Sequence, residues 1–205
     1  MQTDYSGETS ILKYMCGILN SPGNVLKCRE SFRPASAFTE FVSILVDELA
    51  VKMRMLHYHG NKKCDYYSID HVLYRDEDQL QEGTLPFKTG IVYGCWLKRI
   101  RVAIEHENRL SGKRGGFQEI THLMLVNADI KILMGYASVS KNYDAYAYDY
   151  YKIFKSVEPS GRATPILFLG EYRSEKLEIE AYLITFNALL KYDWNLDVWS
   201  PMQLS

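Results

Sequence analysis

Two kinds of apolar pattern alternate along this chain, and their order restricts the fold more than any other feature. Apolar residues recur at intervals of three and four over Phe38–Leu56, which predicts a helix of about 20 residues with Ser36 as its N-cap. Ile100, Val102 and Ile104 instead alternate with polar residues, as is typical of a strand. Because helical and strand patterns alternate, we expect an α/β fold.

The same kind of pattern extends over the rest of the chain. From Ser36 onward it predicts the order α-β-β-α-β-α-β-β. The other expected helices are Ser10–Leu19, Phe117–Val126 and Ser140–Phe154, and the expected strands are Tyr66–Tyr74, Gly90–Asn108 (clearest from Arg99), Asp129–Ala137, Thr164–Glu171 and Leu177–Phe186. The acidic stretch Asp76–Glu82 is expected to be a solvated loop.

Composition supports one domain with a sizeable core. The 205 residues are 47% hydrophobic and 24% charged, and we find no repeat, low-complexity tract or convincing linker. We therefore expect a single domain over residues 1–205, with an N-terminal helix and loop in 1–35, a core motif region in 36–138 and the remaining helix and strands in 139–205. The net charge of −1 excludes nucleic-acid binding through bulk positive charge but leaves room for a local basic patch.

The sequence also bears on cellular location. No segment approaches the roughly 20 apolar residues of a membrane-spanning helix, and the N-terminal residues lack the basic and apolar regions of a signal peptide. Cys16, Cys28, Cys64 and Cys95 lie far apart without CxxC spacing, so free thiols are expected. We therefore expect a soluble cytoplasmic protein with no membrane partner.

Two carboxylates near the end of the strand around Arg99–Asn108 are the first candidate functional residues. Glu105 and Glu107 are two positions apart, so both project from one face of the strand, opposite its apolar residues. Like charges in a largely apolar strand raise each other's pKa unless a cation lies between them. Oxygen ligands on a rigid strand suit Mg²⁺, which keeps several waters and leaves room for a phosphate oxygen. A solvated strand edge is the alternative explanation.

A third carboxylate is available in the preceding predicted strand. Asp70 is flanked there by Ile69, Val72 and Leu73. If the two strands pair as neighbours, Asp70 lies beside Glu105 and completes a small acidic cluster. The alternative role for Asp70 is that of a cap or of a hydrogen-bonded acid in the core.

This arrangement resembles the core of the PD-(D/E)XK nuclease superfamily, in which a helix is followed by a strand bearing Asp, a strand bearing (D/E)-x-K, a helix and a further strand. Asp70 matches the Asp, Glu105 matches the first acid of the pair, and Glu107 stands where Lys is usual. The resulting E-x-E is similar to that of BamHI-type restriction endonucleases. The resemblance covers roughly residues 36–138, and it departs from the family pattern at Ile69, where a Pro is usual.

The resemblance implies a restriction-endonuclease-like fold, with a mixed sheet flanked by helices. It also implies a metal-dependent endonuclease, of restriction or repair type, that hydrolyses phosphodiester bonds of double-stranded DNA as a homodimer. Asp70 and Glu105 would hold Mg²⁺, with Mn²⁺ as a substitute, and Glu107 would orient or deprotonate the attacking water. Glu48, on the long helix, would contribute a further outer acid.

Basic residues follow the acid pair in a loop that contains several glycines. Arg109, Lys113 and Arg114 would approach a phosphodiester backbone closely there and supply the local attraction that the net charge does not. A solubilising hairpin loop is the alternative explanation for this run of charge. Among these residues, Lys113 and Arg114 are the better candidates for DNA contacts.

Histidines and a cysteine offer a rival metal site. His57, His59, Cys64 and His71 carry the nitrogen and sulfur ligands that zinc prefers. Their spacing matches no compact zinc motif, and His57 and His59 are expected at the end of the long helix, where they would not share a face. Surface and helix-terminal histidines are therefore the preferred explanation.

Two other functional hypotheses remain open. In the first, the chain is a non-catalytic protein of the nuclease fold that binds nucleic acid or a protein partner, which the absence of the usual Pro and Lys favours. Alternatively, the motif is coincidental and the protein is an unrelated α/β protein. A separation of more than about 8 Å between Asp70 and Glu105 would favour that second hypothesis, because ligands of one metal lie close together.

Overall fold

In the described part of the chain, eight strands lie side by side in one sheet, in the order in which they follow one another in the sequence. The computed structural model describes residues 6–24, 35–59, 69–79, 97–107, 116–136, 142–156, 165–173 and 176–203. Within these ranges the strands are β1 (Leu56–His59), β2 (His71–Tyr74), β3 (Ile100–Glu107), β4 (Ala128–Tyr136), β5 (Pro165–Arg173), β6 (Lys176–Ile184), β7 (Leu189–Asp193) and β8 (Val198–Pro201). The helices are α1 (Ser6–Leu19), α2 (Ala35–Met53), α3 (Phe117–Leu125) and α4 (Tyr143–Ser156).

The sheet is mixed, with a parallel centre and antiparallel flanks. β3, β4 and β5 run parallel to one another, and α3 and α4 make the two crossover connections. The other neighbouring strands pair antiparallel. The expected α/β fold class, a mixed sheet flanked by helices, is confirmed.

Helices cover both faces of the sheet, because strands buried on both sides need an apolar layer on each. α1 and α2 pack on one face, where Leu45 is buried with Ile104. α3 and α4 pack on the other face, where Leu123 and Tyr150 are buried with Ala103. Glu105, which shares the face of Ala103 on β3, therefore lies beneath α3.

The end of α2 differs from the sequence prediction. The helix stops at Met53, because Arg54 adopts the left-handed conformation with φ 53°. The backbone N–H groups of Arg54 and Met55 then bond the carbonyls of Val51 and Ala50, which is a Schellman ending. The next residues form β1 at the edge of the sheet, so the expectation that His57 and His59 lie at a helix end was wrong.

The acidic stretch after β2 also differs from expectation. Asp76–Asp78 forms one turn of 3₁₀ helix, and Asp78 is only 4% exposed. Arg101 on β3 donates two hydrogen bonds to the Asp78 carboxylate, at 2.7 and 2.8 Å, and they lower the pKa of Asp78. The expectation of a solvated loop was wrong for Asp78, because this ion pair fastens the turn after β2 to β3.

Replacing Asp78 by Asn should lower the free energy of unfolding by about 2 kcal/mol, since the guanidinium of Arg101 loses a charged bidentate partner. Urea denaturation of the variant and the wild type measures this difference. Asp76→Asn, in the same turn but exposed, is the matched control and should change stability by less than about 0.5 kcal/mol. Equal stability of the two variants would show that the Arg101 pair does not anchor the turn.

The predictions of free thiols and of no membrane-spanning helix can be compared with the structure only for the described residues. Cys16 is a free thiol there, and burial raises its pKa to about 12. Cys28, Cys64 and Cys95 lie outside the described residues. Among the described helices, none combines the length and the apolar character needed to cross a bilayer.

Candidate functional site

The antiparallel pairing of β2 with β3 brings Asp70 and Glu105 together. His71 lies opposite Ile104, so Asp70, one residue before β2, is level with Glu105. Each of the two carboxyl groups shifts the pKa of the other. Asp70 precedes its strand and does not lie in the middle of it as expected, but it is level with Glu105, as a shared metal would need.

Both acids line a cleft of about 530 Å³ at the carboxyl end of β3, between the first turns of α2 and α3. Its lining residues are Thr39, Asp70, Glu105, His106, Gln118, Glu119 and His122. In open α/β sheets, ligands bind outside the carboxyl ends of the parallel strands. The cleft therefore lies where a binding site is expected in this architecture.

Asp70 is held in its ionised form by His106. The backbone N–H of His106 donates to Asp70 Oδ2 at 2.9 Å, and the ring Nδ1 lies 2.9 Å from the same oxygen. Burial raises the pKa of Asp70, but the hydrogen bonds and charge of His106 outweigh it and bring the pKa below its ordinary value. Thr39 Oγ1 lies 3.2 Å from His106 Nε2 and fixes the ring from α2.

Glu105 is in the opposite electrostatic situation. It is only 2% exposed, and burial together with the negative charge of Asp70 raises its pKa far above the ordinary range. His122 Nδ1, on α3, lies 3.1 Å from Glu105 Oε1. Asp70 and Glu105 therefore share one proton at neutral pH when no cation lies between them.

Two further acids increase the negative potential of the cleft. Glu107 lies two residues beyond Glu105 on the same face of β3. Burial, and then the charge of Glu107, raise the pKa of Glu119 in the first turn of α3. Glu119 Oε2 is buried and has no hydrogen-bond partner among the described residues. Such a carboxylate oxygen favours a proton or a cation nearby.

The structure does not bring Glu48 to this cleft. Glu48 lies nine positions after Thr39 on α2, which is about 13 Å along the helix axis. Asn24 donates to both of its carboxylate oxygens, at 3.3 and 3.1 Å, where α2 meets the end of α1. Arg109, Lys113 and Arg114 lie outside the described residues, so their DNA contacts remain predictions.

The sequence did not point to His106, Glu119 or His122 as site residues. A signal was present for two of them, because Glu119 and His122 are three positions apart on α3 and therefore share a face. His106 had no such signal. Its ring and its backbone N–H both contact Asp70, and neither contact follows from a side-chain pattern.

The histidines considered as a rival metal site come together only in part. His57 Nε2 lies 3.1 Å from His71 Nδ1, and Asp47 Oδ1 lies 2.8 Å from His57 Nδ1. Cys64 lies outside the described residues. Among the residues that are described, no three His, Cys, Asp or Glu side chains are arranged as a preformed metal site.

Comparison with protein-family models, with curated proteins and with solved structures found no match to this chain. The assignment of a function therefore depends on the cleft itself.

In the absence of metal, the raised pKa of Glu105 should make the free energy of unfolding fall as pH rises above about 5. Its pKa in the folded protein lies above the ordinary value of 4.5, so the unfolded chain releases this proton first. The contribution is complete below pH 4.5 and is lost above it, by at most about 1.4 kcal/mol per pH unit. Thermal unfolding of wild type and Glu105→Gln between pH 5 and pH 9 tests this.

The melting temperature of Glu105→Gln should rise steadily relative to that of the wild type as the pH increases, since Gln has no proton to lose. A constant difference across this range would contradict a shared proton. Asp70 acts in the opposite sense, because its lowered pKa adds stability above its ordinary value of 3.8 that is lost on further acidification.

Proposed function

We propose that this protein is a Mg²⁺-dependent endonuclease that hydrolyses phosphodiester bonds in double-stranded DNA, with Mn²⁺ as a substitute. The observation that carries the proposal is the pairing of Asp70 with Glu105 in a cleft at the carboxyl end of β3, with Glu107 on the same strand face. These are the positions that the resemblance to PD-(D/E)XK nucleases assigns to the site. The restriction-type or repair-type role belongs to the same proposal.

The donor set fits a hard divalent cation. The carboxylates of Asp70 and Glu105 are too close for both to be ionised without one, which is why the pair retains a proton. Mg²⁺ is commonly held by one or two carboxylates together with waters and substrate phosphates, so a preformed set of three side chains is not needed. Asp70 and Glu105 would hold the cation directly.

When bound, the cation would lower the pKa of water and stabilise negative charge on the phosphate. The protein's own groups have separate roles in this proposal. His106 keeps Asp70 ionised through its ring and its backbone N–H, so Asp70 is ready to bind a cation. Glu107 orients the attacking water or accepts its proton, in the position where the family usually has Lys.

DNA contacts are assigned to the basic residues that follow β3 in the sequence. Because the cleft is acidic, attraction for the phosphate backbone must come from outside it. Lys113, Arg114 and then Arg109 are the proposed contacts, since they follow the acid strand directly in the sequence. A homodimer would place one cleft on each strand of the duplex.

The second candidate is a protein of the same fold that binds nucleic acid or a protein partner without cleaving. The missing Lys at position 107 and the missing Pro at position 69 favour it. Cleavage of supercoiled plasmid and linear duplex DNA in Mg²⁺ or Mn²⁺, with an EDTA control, separates the two candidates. Metal-dependent cutting supports the nuclease, whereas a folded protein that neither cuts nor binds Mn²⁺ would be a binding protein.

A further inference from the structure

Glu105 has a second partner besides Asp70, and that partner comes from a different element of the fold. His122 on α3 places Nδ1 3.1 Å from Glu105 Oε1. The Glu105 side chain is 3% exposed, whereas that of His122 is 29% exposed and lines the cleft. The carboxyl group therefore lies between an acid on the β2 side and an imidazole on the α3 side.

Once Glu105 is ionised, its contact with Asp70 is repulsive and its contact with His122 is attractive. Asp70 then repels Glu105, because both groups are negative in a site of low solvent exposure. An ionised carboxylate only accepts hydrogen bonds, so Nδ1 of His122 must carry the hydrogen in that state. His122 thus donates a hydrogen bond to the Glu105 carboxylate in the same ionised state in which Asp70 repels it.

We infer that His122 is a positioning residue for the proposed metal centre, which holds Glu105 in the rotamer that faces Asp70. The inference rests on the proposed function, since the cation is what keeps both acids ionised. A glutamate side chain has several rotatable bonds, and the hydrogen bond to Oε1 helps to order it before a cation binds. Partners that orient metal ligands in this way typically change metal affinity by 10- to 100-fold.

The fold gives His122 a defined position for this role. The backbone carbonyl of His122 accepts the N–H of Val126, which closes the last turn of α3. Leu123 and Met124, the next residues, are fully buried against the sheet. The imidazole is therefore carried by a well-packed helix, and its distance from β3 does not depend on a loop.

Mn²⁺ affinity, measured by electron paramagnetic resonance on the full chain, tests the inference with two substitutions. His122→Leu removes the donor, whereas His122→Asn keeps an N–H at the position of Nδ1. We expect Mn²⁺ affinity to fall 10- to 100-fold in His122→Leu and to stay within about threefold of wild type in His122→Asn. Thermal unfolding without metal shows whether each variant is folded.

The outcomes separate this inference from the proposed function. Wild-type protein that binds no Mn²⁺ would overturn both. Mn²⁺ binding by wild type that is unchanged in a folded His122→Leu variant would overturn the positioning role alone. An equal loss of affinity in folded Leu and Asn variants would also overturn it, because the hydrogen bond would then not be the cause.

Discussion

DNA cleavage in the presence of Mg²⁺ should fall by at least about 10³-fold when Glu105 is replaced by Gln. The substitution removes one of the two carboxylates that would hold the cation, and a change of this size corresponds to about 4 kcal/mol of lost transition-state stabilisation. The measurement is the single-turnover rate of plasmid cleavage at saturating Mg²⁺. Because Gln is nearly the same size as Glu, the fold should be retained.

Glu40→Gln is the matched control for this experiment. Glu40 is an exposed acid on α2 that does not line the cleft. Its replacement by Gln changes the net charge by the same amount as Glu105→Gln. Its cleavage rate should remain within about twofold of wild type. Cleavage by Glu105→Gln at the wild-type rate would remove the acid pair from the mechanism, and with it the proposed nuclease site.

A second large effect is expected at Gly116, where stability rather than chemistry should change. Gly116 is the N-cap of α3 and has φ +70°, a conformation that residues other than Gly, Asn and Asp rarely adopt. A Cβ there would lie 2.9 Å from Tyr150 Cζ and even closer to the hydroxyl oxygen. Tyr150 is fully buried, so its ring has little room to move. Gly116→Ala should therefore lower the free energy of unfolding by about 3 kcal/mol.

Gly17→Ala provides the contrast. Gly17 lies inside α1, and a Cβ built there meets nothing within 4 Å. Alanine should stabilise that helix by about 0.5 to 1 kcal/mol, because it restricts the unfolded chain. Urea denaturation of both variants compares the two effects, and similar midpoints for them would contradict the steric argument at Gly116.

Much of the fold follows from residue patterns that packing later satisfies. The stripe on α2 predicted its buried face because a helix covering a sheet needs one apolar side, and Leu45 and Leu49 are indeed buried. The same stripe continued past Met53 and concealed the start of β1, since only two residues, the left-handed Arg54 and Met55, separate the helix from the strand. Four-residue strands such as β1 and β8 are too short for alternation to identify them.

The acid pair was predictable in part. The i, i+2 spacing of Glu105 and Glu107 and the neighbouring position of Asp70 follow from strand geometry. Which groups decide the charge of these acids did not follow, because His106 contacts Asp70 across the pairing of β2 with β3 and His122 contacts Glu105 from α3. Burial of Asp78 was also hidden, since its partner Arg101 lies on β3, far from it in sequence, and an isolated acidic stretch looks solvated.

The order of the strands has a consequence for how the protein folds. Since each strand pairs with the one before it in the chain, no strand must be inserted between two that have already paired. The sheet can therefore grow one strand at a time, and during synthesis each new strand finds its partner already made.

α1 is the exception to this sequential assembly. Trp199 Nε1 donates to Thr9 Oγ1 at 3.0 Å across 190 residues of sequence, and Lys13 pairs with Asp197. The surface of α1 that meets the β7–β8 hairpin thus stays uncovered until the last strands have been made. We therefore expect the packing of α1 against the β7–β8 hairpin to be a late, long-range step of folding.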